Sequence, residues 1–139
     1  MYSRILVPVD LSDRNAPALE KAAEIARAGG GTLLLLHVIE ELENGPRDEF
    51  EDFYRELGAR AEEALSTLGK LAEERGVAFE TRTRRGRRWA EIVECAEREG
   101  CDLIVLRSHV LDPARPLHGL GTISHHVALG ARCAVLLVR

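Results

Sequence analysis

Short runs of consecutive apolar residues alternate along the chain with segments in which apolar residues recur every three or four positions. The runs predict β-strands buried on both faces, and the periodic segments predict amphipathic helices that cover them. The predicted strands are Ile5–Val9, Thr32–Ile39, Val77–Thr83, Leu103–Leu106 and Ala134–Val138. The predicted helices run from Pro17 to the glycines at 29–31, from Phe50 to Arg75, from Trp89 to Gly100, and over a short stretch after Thr122.

This alternation predicts an α/β fold, a doubly wound, Rossmann-like parallel sheet of five strands with helices on both faces. Val77–Thr83 alternates apolar and polar residues, which is typical of an edge strand. In such sheets ligands bind beyond the carboxyl ends of the strands, where the strand order reverses. The candidate site residues are therefore those that follow the strands: Asp10, Val38–Glu40, Arg84–Arg88, Arg107–His109 and Gly121-Thr122.

Composition narrows the function classes. The 139 residues, 45% hydrophobic and 30% charged, predict one globular domain over residues 1–139. The net charge of −4 disfavours nucleic acid and anionic membrane surfaces as partners. Three cysteines without a C-x-x-C spacing predict no disulfide framework, which favours a cytoplasmic location. The histidines have no cysteine or carboxylate at ligand spacing, so no metal site is predicted.

The run Arg84-Arg85-Gly86-Arg87-Arg88 is the strongest local concentration of charge. One interpretation is an anion site, in which arginines together with Arg107 bind phosphate by bidentate contacts. The other, which we favour, is a solvated cluster paired with the acidic segment Glu40–Asp52. A nucleic-acid-binding module is a further alternative, although one basic turn on an acidic domain gives a small electrostatic footprint.

Four segments together resemble the universal stress protein (UspA) family. They are Ile5-Leu-Val-Pro-Val-Asp10-x-Ser12, Leu35-Leu-His-Val38, Cys101-Asp-Leu-Ile-Val-Leu106 and Cys133-Ala-Val-Leu-Leu-Val138. The resemblance implies strand order 3-2-1-4-5 and a stress-response binding protein that holds an adenine nucleotide, ATP or AMP. The residues that could act as nucleophile or base, Ser12, Ser108, His109 and Asp10, show no recognised triad spacing or metal signature, so catalysis is not expected.

The resemblance also implies residue roles. Asp10 would receive the adenine–ribose part, or alternatively cap the following helix with Ser12, and main-chain groups of Val38 would contact adenine. The nucleotide-binding set that it implies is Pro8, Val9, Asp10, Val38, Arg107, Ser108, His109, Gly121, Thr122 and Ile123.

The phosphate loop departs from the family pattern. Nucleotide-binding members carry G-x-x-G, nine residues, and G-[ST], whereas here Arg107 and Val110 occupy the first two glycine positions and ten residues precede Gly121-Thr122. Valine disfavours the positive φ and close backbone approach that glycine allows. We therefore expect a degenerate nucleotide site; the alternative is a true ATP-binding member or weak ATPase that uses arginines in place of glycines.

The last predicted strand is expected to form a homodimer interface. A fully apolar strand at a sheet edge is an aggregation hazard unless it is covered, and family members commonly dimerise through this strand. The interface residues would be Ala134, Val135, Leu136, Leu137 and Val138.

Overall fold

The computed structural model describes residues 1–41, 50–108, 113–114 and 122–139. These residues form five strands and four helices that alternate along the chain. Their bounds are β1 Arg4–Pro8, α1 Ala16–Gly29, β2 Thr32–Glu40, α2 Glu51–Glu74, β3 Phe79–Gly86, α3 Arg88–Arg98, β4 Leu103–Arg107, α4 Ile123–Gly130 and β5 Ala134–Val138.

The strands form one parallel sheet in the order β3-β2-β1-β4-β5, which confirms the predicted fold. The order reverses at β1, because β1 pairs with β2 on one side and with β4 on the other. The switch point predicted for ligand binding therefore lies between β1 and β4, at their carboxyl ends.

Alternation along the strands divides the core into two layers. Ile5 and Val7 of β1 face the layer under α1 and α2, whereas Leu6 faces the layer under α3 and α4. All three side chains are fully buried. Both faces of the central strands are therefore apolar, as the continuous apolar runs predicted.

Asp102 ties the start of β1 to the start of β4. Its Oδ2 accepts hydrogen bonds from the main-chain N–H (2.9 Å) and hydroxyl (3.2 Å) of Ser3, and its Oδ1 accepts one from the N–H of Arg4 (3.1 Å). Burial raises the pKa of the Asp102 carboxyl, but these hydrogen bonds outweigh it and hold the pKa below its ordinary value.

Strand β3 does not lie where the sequence pattern put it. The prediction was Val77–Thr83, but the strand spans Phe79–Gly86. It pairs with β2 as far as Gly86 opposite Glu40, so Arg84 and Arg85 belong to the strand rather than to the turn after it. Main-chain pairing with a long neighbour has overridden a polar local sequence. The position at the sheet edge is as predicted.

Helix α2 packs on this edge strand through a glycine. Gly69 is buried, and the ring of Phe79 lies directly over it, which lets the helix and the strand approach closely. The predicted apolar stripe of the helix faces the core only in part, because Phe53 near the first turn is 55% exposed.

Strand β1 is shorter than its neighbour. It ends at Pro8, opposite Leu36, whereas β2 continues to Glu40. Beyond Pro8 a single hydrogen bond continues the pairing, from the N–H of Val9 to the carbonyl of Leu36 (2.8 Å). Within the part of the chain that the structure describes, no helix is long and apolar enough to cross a bilayer.

Candidate functional site

A cleft of about 440 Å³ opens at the switch point. Its apolar lining comes from Val9, Leu36, Val38, Ile92, Leu106 and Ile123, together with Pro8. Its polar lining comes from Asp10, Asn15, Arg88, Arg107, Thr122 and Ser124. An apolar cleft with a few convergent polar groups is the usual form of a small-ligand site.

Asp10 lies in a tight turn directly after β1. Its Oδ1 accepts hydrogen bonds from the hydroxyl and from the main-chain N–H of Ser12, the latter at 2.9 Å. The alternative role of capping the next helix is wrong, because α1 begins at Ala16 and neither Asp10 nor Ser12 is its N-cap. The turn instead holds the carboxylate at the rim of the cleft.

Asn15 fixes the shape of this turn. Its side chain is buried and donates to the carbonyls of Asp10 (2.8 Å) and Ser12 (3.1 Å), while its Oδ1 accepts from the N–H of Asp10 (3.2 Å). These three hydrogen bonds to one buried side-chain amide fix the main chain at Asp10.

The carboxylate of Asp10 is held in its charged form. Burial raises the pKa of the Asp10 carboxyl. The hydrogen bonds from Ser12 and the nearby charge of Arg88 outweigh this effect, so the pKa lies below its ordinary value. At neutral pH the cleft therefore presents an ionised acceptor to a ligand hydroxyl.

Val38 contributes main-chain groups as well as an apolar side chain. A strand repeats every two residues, and the carbonyl of Leu36 points towards β1, so the main-chain groups of Val38 point the same way. Strand β1 has ended by this level, which leaves these groups facing the cleft. His37 supports the same rim, since its Nδ1 lies 2.9 Å from the carbonyl oxygen of Val9.

The other end of the cleft is formed by β4 and α4. Arg107 is the last residue of β4, and Thr122 is the N-cap of α4, with its hydroxyl accepting a hydrogen bond from the N–H of His125 (3.3 Å). Ser108 is drawn towards β5, because its N–H donates to the carbonyl of Val138 (2.8 Å), and it does not line the cleft. His109, Val110 and Gly121 lie outside the described residues.

The arginine run is divided between two environments. Arg85 lies over the ring of Tyr54 and forms ion pairs with Glu51 (3.3 Å) and Glu41 (3.6 Å), which are the acidic partners expected of a solvated cluster. Arg88 instead lines the cleft. The favoured interpretation of the run as a solvated cluster therefore fits Arg85 but not Arg88, the first residue of α3.

Arg84 and Arg87 lie outside the cleft lining. Arg84 is close to Cys95, where burial raises the pKa of the thiol and the charge of Arg84 opposes that rise. Arg87 precedes α3 as its N-cap residue and is exposed. Neither residue contributes to the candidate site.

The expected dimer strand, β5, is the edge of the sheet beyond β4. Its residues are half-buried or exposed, with Leu137 38% exposed. Since the carbonyl of Val138 faces β4, the main-chain groups of Val135 and Leu137 point to the open side. Within the described residues, the strand thus carries apolar surface and main-chain groups that no neighbouring strand pairs.

All three cysteines are free thiols. Burial raises the pKa of the Cys101 thiol to about 12 and also raises that of Cys133. Among the residues with described positions, no group of three or more histidine, cysteine or carboxylate side chains could hold a metal ion.

Two polar cleft residues were not candidates on sequence grounds: Asn15 and Ser124. Asn15 precedes Ala16-Pro17, where asparagine is typical of a turn, and nothing in the sequence indicated that it lines a ligand site. Ser124 lies two residues after Thr122, and its place in the cleft follows from the start of α4 at Ile123. Arg88 was a candidate as part of the run Arg84–Arg88, and it is the member of that run that lines the cleft.

A doubly wound parallel sheet with a cleft at its switch point places this chain among the α/β proteins of the Rossmann-like class. The model of the universal stress protein family matches residues 1–139, and the chain belongs to this family.

Two similar proteins and one solved structure place this membership in context. Universal stress protein YxiE of Bacillus subtilis is 30% identical over 149 residues, with both chains covered in full. A universal stress protein of Thermus aquaticus is 34% identical over 141 residues, also with both covered in full. The structure of UspA from Lactobacillus plantarum has a TM-score of 0.81 at 25% identity, covering 99% of this chain and 98% of that one.

Proposed function

We propose that this chain binds an adenine nucleotide, AMP or ATP, in the switch-point cleft and acts as a stress-response regulatory binding protein rather than as an enzyme. The observation that carries the proposal is the cleft itself, in which an apolar floor and an ionised carboxylate lie within one cavity. A purine base would pack on the apolar floor, and the ribose hydroxyls would donate to the carboxylate.

The base would lie on the apolar side chains near the end of β2. The main-chain groups of Val38 open towards this space and supply a donor and an acceptor for the adenine edge. The ribose hydroxyls would donate to Asp10, because hydrogen bonds to a charged acceptor are about twice as strong as neutral ones.

Solved relatives support the ligand class. Universal stress proteins of the same fold are described in complex with cAMP, with dAMP (Archaeoglobus fulgidus) and with AMP (Arabidopsis thaliana). They are 23–24% identical to this chain, so the likeness concerns the fold, and the bound nucleotides are properties of those proteins.

The phosphate end would bind less tightly than a glycine-rich loop. Arg107 and Val110 replace two glycines of the family pattern, and each side chain limits the approach of backbone amides to phosphate. We therefore infer that the base and ribose provide most of the affinity and that the β- and γ-phosphates add little. Such a site favours binding of the nucleotide over its hydrolysis.

We further propose a homodimer formed by antiparallel pairing of β5 with its copy. This pairing would use the open main-chain groups of Val135 and Leu137 and cover the exposed side chain of Leu137. The ion pairs of Arg85 leave little continuous positive surface for nucleic acid, which we do not propose as a partner.

The test of the proposed site is adenosine binding by isothermal titration calorimetry, with nucleotide-free protein and an Asp10→Asn variant. Asparagine keeps an oxygen for Ser12 but removes the charge, so we expect affinity to fall by about tenfold or more, as one charge-assisted hydrogen bond weakens. Asp13→Asn is the matched control, because Asp13 is exposed in the same segment and does not line the cleft. Equal affinities for wild type and Asp10→Asn would contradict the assignment.

A further inference from the structure

The described side chains that line the cleft are net positive, although the chain as a whole is negative. Arg88 and Arg107 line it together with one carboxylate, Asp10, whereas the chain has a net charge of −4. A net positive lining raises the local concentration of anionic ligands. The cleft is thus suited to a ligand with both an apolar part and an anionic part.

Arg88 differs from the other arginines of its run. Arg85 is held by Glu41, Glu51 and the ring of Tyr54. Among the residues that the structure describes, no carboxylate forms an ion pair with Arg88. Arg88 and Asp10 both line the cleft, and the charge of Arg88 helps to lower the pKa of the Asp10 carboxyl.

The position of Arg88 in its helix is unfavourable without an anion. Arg88 is the first residue of α3, where the macrodipole is positive and a cation is disfavoured. A bound anion would interact favourably with both the guanidinium and the helix terminus. The first turn of α3 contains one acidic residue, Glu91, and among the described residues its carboxylate forms no ion pair with Arg88.

We propose that Arg88 binds the phosphate attached directly to the ribose, and that this contact makes the cleft select nucleotides over nucleosides. This inference rests on the proposed function, since it takes the ribose to lie at Asp10. A guanidinium beside the ribose carboxylate reaches the nearest phosphate first and can contact it with two N–H groups. A monophosphate is therefore sufficient to engage Arg88, and this contact takes the place of part of the missing glycine loop.

The experiment measures AMP and adenosine affinities by calorimetry for wild type, Arg88→Gln and Arg88→Lys. Removing the guanidinium should weaken AMP by about tenfold, equivalent to about 1.4 kcal/mol, and leave adenosine within about twofold. Arg88→Lys should recover part of the AMP affinity, because it keeps the charge and loses the bidentate geometry.

Arg98→Gln is the matched control, because Arg98 is at the opposite end of the same helix and pairs with Glu94 on the surface. It should leave both affinities unchanged. Thermal unfolding followed by circular dichroism should show no loss of stability for Arg88→Gln, since the change removes a cation from a helix N-terminus.

The outcomes separate the two proposals. If wild type binds AMP and adenosine equally, or if Arg88→Gln weakens both ligands equally, the role of Arg88 is wrong and the adenine–ribose site stands. If wild type binds neither ligand, the proposed function fails, and the role of Arg88 fails with it.

Discussion

Two glycines of helix α2 should respond in opposite ways to the same substitution. A Cβ added at Gly58 meets no atom within 4 Å, whereas one added at Gly69 overlaps Cε2 and Cζ of Phe79 and lies 2.7 Å from Cδ2. Alanine favours a helix interior over glycine by about 0.8–1.0 kcal/mol. Gly58→Ala should therefore raise the free energy of unfolding by about that amount.

Gly69→Ala should lower the free energy of unfolding despite the same helix gain. The ring of Phe79 must move away from α2, and overpacking of this kind costs about 1–3 kcal/mol. Subtracting the helix gain leaves a net loss of up to about 2 kcal/mol. Phe79 begins β3 and packs against the core, so its displacement also disturbs the pairing of the edge strand with Leu33.

Urea denaturation followed by circular dichroism measures both variants, and Phe79→Ala provides the background for a double-mutant cycle. In that background Gly69→Ala should become stabilising, because the overlapping ring is absent. If Gly69→Ala stabilises the wild-type chain as much as Gly58→Ala does, the close approach of α2 to β3 is wrong.

Three further outcomes are expected. Asp102→Ala should lower the free energy of unfolding at pH 7 by about 1–2 kcal/mol through loss of the bonds to Ser3 and Arg4. The pKa of Asp102 is lowered in the folded protein, so its contribution to stability is complete above the ordinary pKa and is lost as pH falls through the folded pKa. The difference in unfolding free energy between wild type and Asp102→Ala should therefore shrink below about pH 4. A difference that stays constant with pH would contradict this. Cys101, with its pKa near 12, should resist iodoacetamide at pH 8 in the folded protein and react readily after denaturation, as read by peptide mass mapping; rapid labelling in the folded state would refute its burial. Leu137→Pro should convert the proposed dimer to a folded monomer in light scattering, since the proline removes an outward N–H and leaves pairing with β4 intact; a variant that dimerises as wild type does would exclude this interface.

The central strands were predictable because they are buried on both faces. Continuous runs such as Leu33–Leu36 have one stable place in an α/β protein, between two layers of helices. Strand β3 was harder, because an edge strand is half solvated and its sequence is mostly polar. Its length is set by pairing with β2, which the residues of β3 do not encode themselves.

The site was predictable in position but only partly in composition. The topological rule identified the ends of β1 and β4, and with them Asp10 and Arg107. Asn15 acts through three hydrogen bonds to a turn whose shape follows from folding. The run Arg84–Arg88 was a candidate as a whole, and only the bounds of β3, which ends at Gly86, and of α3, which begins at Arg88, show which of its arginines enters the cleft.

The early end of β1 has a consequence for how this protein can vary. Past Pro8 the sheet lacks one strand at the level of Val38, and a ligand that hydrogen-bonds there completes the sheet as a further strand would. Recognition of this kind uses backbone atoms that every amino acid possesses. Side chains along the cleft can therefore change over evolution while the proposed base recognition persists, and a phosphate loop that has lost its glycines does not imply loss of the proposed base pocket.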